Sequence, residues 1–200
     1  MKNVPYSAVV IALVMLAFTG RVSAENDMSF YRWEGSVCAG LNSNGWEINA
    51  GIAWMPLRLV GVSASLGLDS EIYELADWGH TDDPDFEYDY CGRLLFKPSL
   101  VLRTPALLHF ESQGLDLALF AMPGLTLATP ARGSHSSGWC YWNLAGGINA
   151  IFDRLVFTLG YSYSTYNLLD GHPYTHHGGY YDNGELPGTH SVFVGVGYKF

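Results

Sequence analysis

Short segments in which apolar residues alternate with small or polar ones run from residue 34 to residue 200. In the stretch RLVGVSASLGLD, which begins at Arg58, valine and leucine fall on one side of an extended chain, and glycine and serine fall on the other. A repeat of two residues is the period of a β-strand. No segment after residue 24 shows the 3.6-residue period of an amphipathic helix, so the sequence predicts an all-β fold.

Eight segments carry this pattern, and turn residues separate them. They are Glu34–Asn42, Trp46–Met55, Arg58–Asp69, Gly92–Arg103, Leu115–Ala128, Trp139–Ile151, Arg154–Tyr166 and Ser191–Phe200. Strands of roughly ten residues are long enough to cross a bilayer at a tilt. Two of the segments contain a proline, Pro98 and Pro123, which removes a backbone donor and predicts either a bulge or a shorter strand.

The composition of the two strand faces distinguishes a membrane barrel from a soluble one. A soluble sandwich or barrel also alternates, but its water-facing side is rich in charge. Here the polar face is mostly Gly, Ser and Ala, and only 14% of all residues are charged, where a soluble domain has about 25%. Small side chains fit the narrow lumen of a small closed barrel, and large Leu, Val, Phe, Trp and Tyr side chains suit lipid. The sequence therefore predicts an eight-stranded antiparallel up-and-down transmembrane β-barrel.

The first 24 residues have the features of a secretory signal peptide. Lys2 is followed by the apolar run Ala8–Phe18, and Val22-Ser23-Ala24 offers small residues for cleavage. The alternative is an uncleaved membrane anchor. We expect a signal peptide at residues 1–24 and one barrel domain at residues 25–200. Cleavage removes Lys2 and Arg21 but no acid, which changes the net charge from −9 to −11 and argues against a nucleic-acid partner.

The connections between the predicted strands are longest at residues 70–90 and 168–189, and both fall at the same end of the barrel. Outer-membrane barrels have short periplasmic turns and long extracellular loops. We therefore expect these two segments to be extracellular and Thr104–Gly114 to be an unusually long periplasmic turn. Residues 69–90 contain many acids and no Lys or Arg. They predict a solvated loop or, alternatively, a site that captures divalent cations.

The segment HSVFVGVGYKF, residues 190–200, carries a resemblance to a known family. Val192, Val194, Val196, Tyr198 and Phe200 alternate with smaller residues and end on an aromatic ring. Together with the signal peptide and the eight strands, this resembles the small outer-membrane β-barrels of the OmpA/OmpX type. The resemblance implies the outer membrane of a Gram-negative bacterium, contact with outer-membrane lipids and lipopolysaccharide, and recognition of the last strand by the barrel-assembly machinery.

The residues His135-Ser136-Ser137 are the basis of an alternative hypothesis, that the chain is an enzyme. Lipid A deacylases resemble this architecture and use a lipid-facing His-x-Ser pair with a carboxylate. Gly138 stands where such enzymes are expected to have Asn, and no Glu follows in the next strand. A hydroxyl needs both a base within reach and a group that orients that base. The sequence therefore predicts no catalytic residues, and a lipid-modifying enzyme is the alternative.

Metal and cofactor sites find little support in the sequence. His172, His176 and His177 lie in the second long connection, but adjacent residues of an extended chain point in opposite directions. The three cysteines, Cys38, Cys91 and Cys140, have no metal-site spacing and allow at most one internal disulfide. We expect no metal and no cofactor.

Charged residues on the lumen side predict a plug. The acids Glu34, Glu47 and Asp116 could pair with the bases Arg93 and Lys97 across the interior. The alternative is a narrow ion pore, although eight strands leave room for little more than side chains. The predicted function is structural or surface interaction: envelope integrity, adhesion, or capture of an unidentified extracellular ligand by residues 70–90 and 168–189.

Overall fold

The computed structural model describes residues 31–72, 92–130, 137–170 and 188–200, all within the unit Tyr31–Phe200. Its strands are β1 Trp33–Asn42, β2 Gly45–Trp54, β3 Val60–Glu71, β4 Gly92–Arg103, β5 Leu108–Phe110, β6 Leu115–Ala128, β7 Cys140–Phe152, β8 Leu155–Ser164 and β9 Thr189–Lys199. Each of the eight predicted segments corresponds to one long strand, so the predicted all-β fold is confirmed. In the described part of the chain, no helix is long and apolar enough to cross a membrane.

Antiparallel pairing of consecutive long strands closes the sheet on itself. β9 pairs with β1 from Glu34–Lys199 to Asn42–Ser191, and β4 pairs with β6. The eight long strands therefore form an up-and-down barrel that has no free edge. Closure matters in a bilayer, because hydrocarbon offers no partner to an unpaired backbone group.

The short strand β5 is the element that the sequence did not predict. It lies inside the expected periplasmic turn Thr104–Gly114 and pairs only with the start of β6, from Leu108–Leu117 to Phe110–Leu115. Gly114 closes this small hairpin with a φ of 60°, a conformation that glycine adopts without strain. Three residues are too few to show a period of two, so alternation could not reveal the strand.

The outward and inward faces of the strands differ as predicted. In β8, Leu155 is 43% exposed and Leu159 is 56% exposed, whereas Val156 between them is 1% exposed. The same holds for β9, where Val192, Val194 and Val196 all lie on the outside. A closed barrel with large apolar side chains outside and small ones inside has the polarity of a transmembrane barrel rather than of a soluble one.

Glycines on the inward face keep the lumen from overfilling. A Cβ atom at Gly160 would lie 2.4 Å from the ring of Phe193, and one at Gly195 would lie 2.5 Å from Sγ of Cys38. Both distances are below van der Waals contact, so larger residues at these positions would force their neighbours to move. Gly160 and Gly195 are thus among the small lumen residues that the strand alternation predicted.

Candidate functional site

The two ends of the barrel differ in the segments that they carry. At the end that we call the mouth, β3 leads to β4, β6 to β7, and β8 to β9, through residues 72–91, 129–139 and 165–188. At the opposite end, which we call the base, lie the turns 55–59 and 153–154 and the connection 104–114. Both chain ends of the described barrel, Trp33 and Phe200, are hydrogen-bonded to each other at the base.

Arg93, near the start of β4, organises the mouth. It is 1% exposed, and its guanidinium donates to four backbone carbonyls, two in the connection 129–139 and two in the connection 165–188. The acceptors are Thr129 at 2.7 Å, Gly138 at 3.0 Å, Asn167 at 3.3 Å and Asp170 at 3.5 Å. The guanidinium also lies 5.2 Å from the ring centre of Tyr166. A single side chain thus ties the segment after β6 and the segment after β8 to β4.

Residues 166–170, which follow β8, fold over the mouth and form what we call the cap. Tyr166, Leu168 and Leu169 are buried and pack against Leu95 and Ala128 of the barrel wall. This differs from the prediction that the whole of residues 168–189 is an extracellular loop. Leu168 and Leu169 are apolar and find a dry surface inside the mouth, so this part of the connection folds inward.

Asp170 fixes the cap from its own end. Its carboxylate accepts a hydrogen bond from the backbone N–H of Gly138 at 3.0 Å and another from the hydroxyl of Tyr141. The Tyr141 ring stands edge-on to the ring of Tyr166 at 5.4 Å. The cap is therefore held by polar contacts on its rim and by apolar packing beneath.

The start of the acidic segment 69–90 also belongs to the mouth. Asp69 and Glu71 are the last acids of β3, and both are fully buried. Asp69 accepts a hydrogen bond from the Asn42 side chain at 2.8 Å. The sequence predicted that these two residues belong to a solvated loop, but the structure places them in β3 with buried side chains. The rest of the segment lies outside the described residues, and among the described residues no group of three or more His, Cys, Asp or Glu side chains could hold a metal ion.

Two ion pairs cross the lumen. Lys97 contacts Glu47 at 2.5 Å, which is one of the pairings that the predicted set of three acids and two bases allowed. Glu34, which was expected to meet Arg93 or Lys97, instead accepts two parallel hydrogen bonds of 2.8 Å from Arg103. Arg103 comes from the strand end that the sequence assigned to the periplasmic rim, and its long side chain reaches back into the lumen.

The other predicted pairings within the lumen do not form. Asp116 binds His109 of β5 at 2.5 Å, in a pair that is largely exposed at the base. The sequence could not anticipate this contact because β5 was not recognised. Arg93 is occupied by the carbonyls of the mouth. Of the three predicted acids, only Glu47 pairs with a base of the predicted set.

A cavity of about 150 Å³ remains in the lumen, and both ion pairs contribute to its lining. Its lining includes Cys38, Asn49, Ser99, Thr158 and Phe193. Small and paired side chains therefore fill the lumen only in part. The sequence missed this space, because alternation indicates which residues face inward but not how well they pack.

The catalytic and metal candidates of the sequence fall mostly outside the described residues. This is true of His135, Ser136, the three histidines at 172, 176 and 177, and Cys91. Of the remaining cysteines, Cys38 lines the lumen and Cys140 is exposed, and both are free thiols. His190 faces outward on β9, where its ring contacts those of Tyr161 and Tyr163.

Comparisons with known proteins agree on the fold. No protein-family model matches the chain, and no curated protein matches it in sequence. Among solved structures, Neisserial surface protein A is similar at 9% identity with a TM-score of 0.51, over 84% of this chain and 96% of that one. The outer membrane enzyme PagL is similar at 11% identity with a TM-score of 0.46, over 84% and 99%.

A third similar structure is the outer membrane protein Ail of Yersinia pestis, at 14% identity with a TM-score of 0.43, over 86% of this chain and all of that one. Likeness at such low identity is evidence of fold alone, and the argument rests on Neisserial surface protein A. Together with strand order and closure, it shows that this chain has the fold of the small eight-stranded outer-membrane β-barrels.

Proposed function

We propose that the chain is an integral outer-membrane protein of a Gram-negative bacterium with a structural or surface-interaction role. The observation that carries this proposal is the obstruction of the lumen by side chains. The Arg93 contacts and the cap cover the mouth, and ion pairs cross the lumen below. The surfaces left for interaction are the outward apolar face and the long connections at the mouth. Envelope integrity, adhesion and ligand capture all use these surfaces.

Outer-membrane lipids and lipopolysaccharide are the first partners that we propose. The outward face carries exposed aromatic side chains at the base, among them Trp33, Trp54 and Tyr198. Aromatic residues favour the interface between hydrocarbon and headgroups. Arg154, in the turn between β7 and β8, donates from Nε to the Tyr31 hydroxyl at 2.8 Å and lies over its ring. A cation held among aromatic rings supports contact with phosphate headgroups at this level.

Export and domain boundaries belong to the same proposal. We propose that residues 1–24 are removed as a signal peptide and that residues 25–200 form the barrel domain. The apolar run Ala8–Phe18 and the small residues before Glu25 support this. A non-enzymatic role is proposed with them, and it is supported by Gly138 at the position of the expected Asn and by the absence of a Glu from the strand that follows in the sequence.

Replacement of the long connections tests the surface role. Residues 73–91 and 171–187 are exchanged separately for short Gly-Ser linkers, which leaves β3, the cap and β9 in place. We expect both variants to fold, as shown by heat-modifiable gel mobility, because the described contacts of the mouth are kept. At equal surface levels, at least one variant should lose attachment of intact cells to immobilised matrix proteins and polysaccharides.

The matched control is a linker of the same length inserted in the turn 55–59 at the base, which should leave attachment unchanged. Attachment and detergent sensitivity are also measured for cells that lack the protein. If these cells, cells with the unaltered protein and cells with either loop variant give the same values, the proposed role is contradicted.

We further propose that β9 is read by the barrel-assembly machinery during insertion. The Phe200 side chain is exposed on the outside of the barrel, and its backbone N–H donates to Trp33 at 2.9 Å. Phe200→Asp should lower the amount of folded barrel in cells by roughly threefold or more, because a charge replaces an apolar ring on the lipid face. Gel mobility of membrane fractions measures this, with Phe200→Leu as control. Equal folded amounts of Phe200→Asp and Phe200→Leu would refute the role of this side chain.

A further inference from the structure

The junction between β4 and β6, which we call the proline seam, differs from the other junctions of the barrel. Residue pairs in register occur at both ends of the seam and once in its middle: Leu95–Ala128, Phe96–Leu127, Ser99–Gly124, Leu102–Ala121 and Arg103–Phe120. Between them the pairing lapses. The neighbouring junction of β6 with β7 is paired continuously from Leu115–Phe152 to Leu127–Cys140. Among the long strands described, only the proline seam is interrupted in this way.

The two prolines explain the interruption. The carbonyl of Leu94 accepts from Thr129, whereas the N–H of Arg103 donates to Leu59 before β3, so even-numbered residues of β4 direct their backbone groups toward β6. Pro98 is one of them, and it has no N–H to give. Its missing donor therefore falls in the seam.

The same holds on the opposite strand. Ala128 donates to Trp139 across the junction with β7, whereas the carbonyl of Leu119 accepts from Thr104, so odd-numbered residues of β6 direct their backbone groups toward β4. Pro123 is one of these. At the observed register, Pro98 faces Leu125 and Pro123 faces Leu100, which puts both missing donors in the middle of the seam. The sequence predicted either a bulge or a shorter strand at each proline. Neither is found, because β4 and β6 continue through Pro98 and Pro123 in one register.

The proline seam forms one side of the lumen cavity, which all eight long strands line. Ser99 and Val101 of β4 and Met122 and Thr126 of β6 contribute to its lining. At the mouth the cap packs against Leu95 and Ala128, and at the base Ala53, Met55 and Val101 form a buried apolar cluster near the pair of Glu34 and Arg103. Of the junctions that surround the cavity, the proline seam therefore has the weakest backbone pairing.

We propose that the proline seam is a lateral entrance by which a small uncharged amphiphile dissolved in the bilayer reaches the lumen cavity. At rest the seam is closed, because a Cβ at Gly124 would lie 2.5 Å from the Pro98 carbonyl oxygen. Opening requires the two strands to separate where two ladder hydrogen bonds are missing. At a neighbouring junction, the corresponding hydrogen bonds are present and would have to break in hydrocarbon, where the loss of a backbone hydrogen bond costs much free energy.

The cavity defines the chemical class of the guest. A volume of about 150 Å³ is that of a cavity that accepts one benzene-sized molecule. Phe120, Met122 and Phe193 supply apolar walls, and the hydroxyl side chains of Ser99 and Thr158 line the same cavity. A hydroxyl oxygen accepts a hydrogen bond, so an aromatic ring with one hydroxyl donor matches both parts of the lining, and the guest is of the phenol class.

Cys38, which lines the cavity, serves as the reporter for entry. The protein is folded in phospholipid vesicles with Cys91→Ser and Cys140→Ser. Cys38 is then labelled with methyl methanethiosulfonate, which is small and uncharged, or with its sulfonatoethyl analogue, which is charged. We expect the uncharged reagent to label Cys38 and the charged reagent to label it far more slowly.

The pair Pro98→Ala and Pro123→Ala, which supplies both missing donors, should slow labelling by the uncharged reagent about tenfold, because each added hydrogen bond stabilises the closed seam. The matched control is Pro56→Ala with Pro105→Ala, at exposed positions outside the long strands, which should leave the rate unchanged. Heat-modifiable mobility confirms that all variants are folded. Phenol itself should protect Cys38 in the protein with native prolines.

Three results would overturn the proposal. The first is a Cys38 that neither reagent labels while the barrel is intact. The second is an equal rate for the two proline pairs, which would place entry at the mouth or the base. The third is absence of protection by phenol, which would remove the assigned guest.

Discussion

Arg93→Met should lower the free energy of unfolding by about 3 kcal/mol, one of the two largest effects that we expect in this chain. Methionine keeps much of the length of arginine but offers no donor, so the carbonyls of Thr129, Gly138 and Asn167 lose their common partner inside the mouth. Each buried acceptor left without a donor costs about 1–3 kcal/mol, with partial relief by water. Urea titration of the protein folded in detergent, followed by gel mobility, measures the difference.

Arg58→Met is the control, since Arg58 lies exposed in the turn at the base. It should change stability by less than about 0.5 kcal/mol. If both substitutions have the same small effect, Arg93 does not hold the mouth together.

Arg103→Met should lower the free energy of unfolding by roughly 3 kcal/mol, because it leaves the Glu34 carboxylate charged and largely buried in the lumen. Adding Glu34→Leu should restore much of the loss, since a buried ion pair replaced by apolar side chains is often neutral. The four variants of this cycle give the coupling between the two side chains, which we expect to be at least about 2 kcal/mol.

The exposed pair of His109 and Asp116 at the base provides the contrast. The same cycle there should give a coupling of no more than about 1 kcal/mol, because solvent screens it. Equal coupling in the two pairs would mean that the lumen is as wet as the surface and that the Glu34–Arg103 pair does not act as a plug.

Much of the barrel could be predicted because successive side chains of a strand point to opposite faces, so the two faces appear in the sequence as an alternation with a period of two. The segment at Arg58 predicted which side chains of β3 face lipid, and the structure has the same faces. β5 was not predicted because three residues are too few to show a period of two. The cap was not predicted either, because Leu168 and Leu169 lie within a long connection and the sequence does not show the surface against which they pack.

The contacts within the lumen depend on strand stagger, which alternation does not define. Lys97 and Glu47 form one of the pairings that the predicted set allowed. Glu34 was expected to pair with Arg93 or Lys97, but it pairs with Arg103, whose strand ends at the base of the barrel. Likewise, Pro98 and Pro123 could be noticed in the sequence, but only the pairing of β4 with β6 shows that both lack their donor in one seam.

Conductance of the folded protein in a planar lipid bilayer tests most directly whether the barrel is closed inside. The cap over the mouth and the two lumen ion pairs predict a flat current at moderate voltage, from protein whose gel mobility shows that it is folded. Discrete, reproducible current steps from the same preparation would contradict a closed lumen and favour a narrow ion pore.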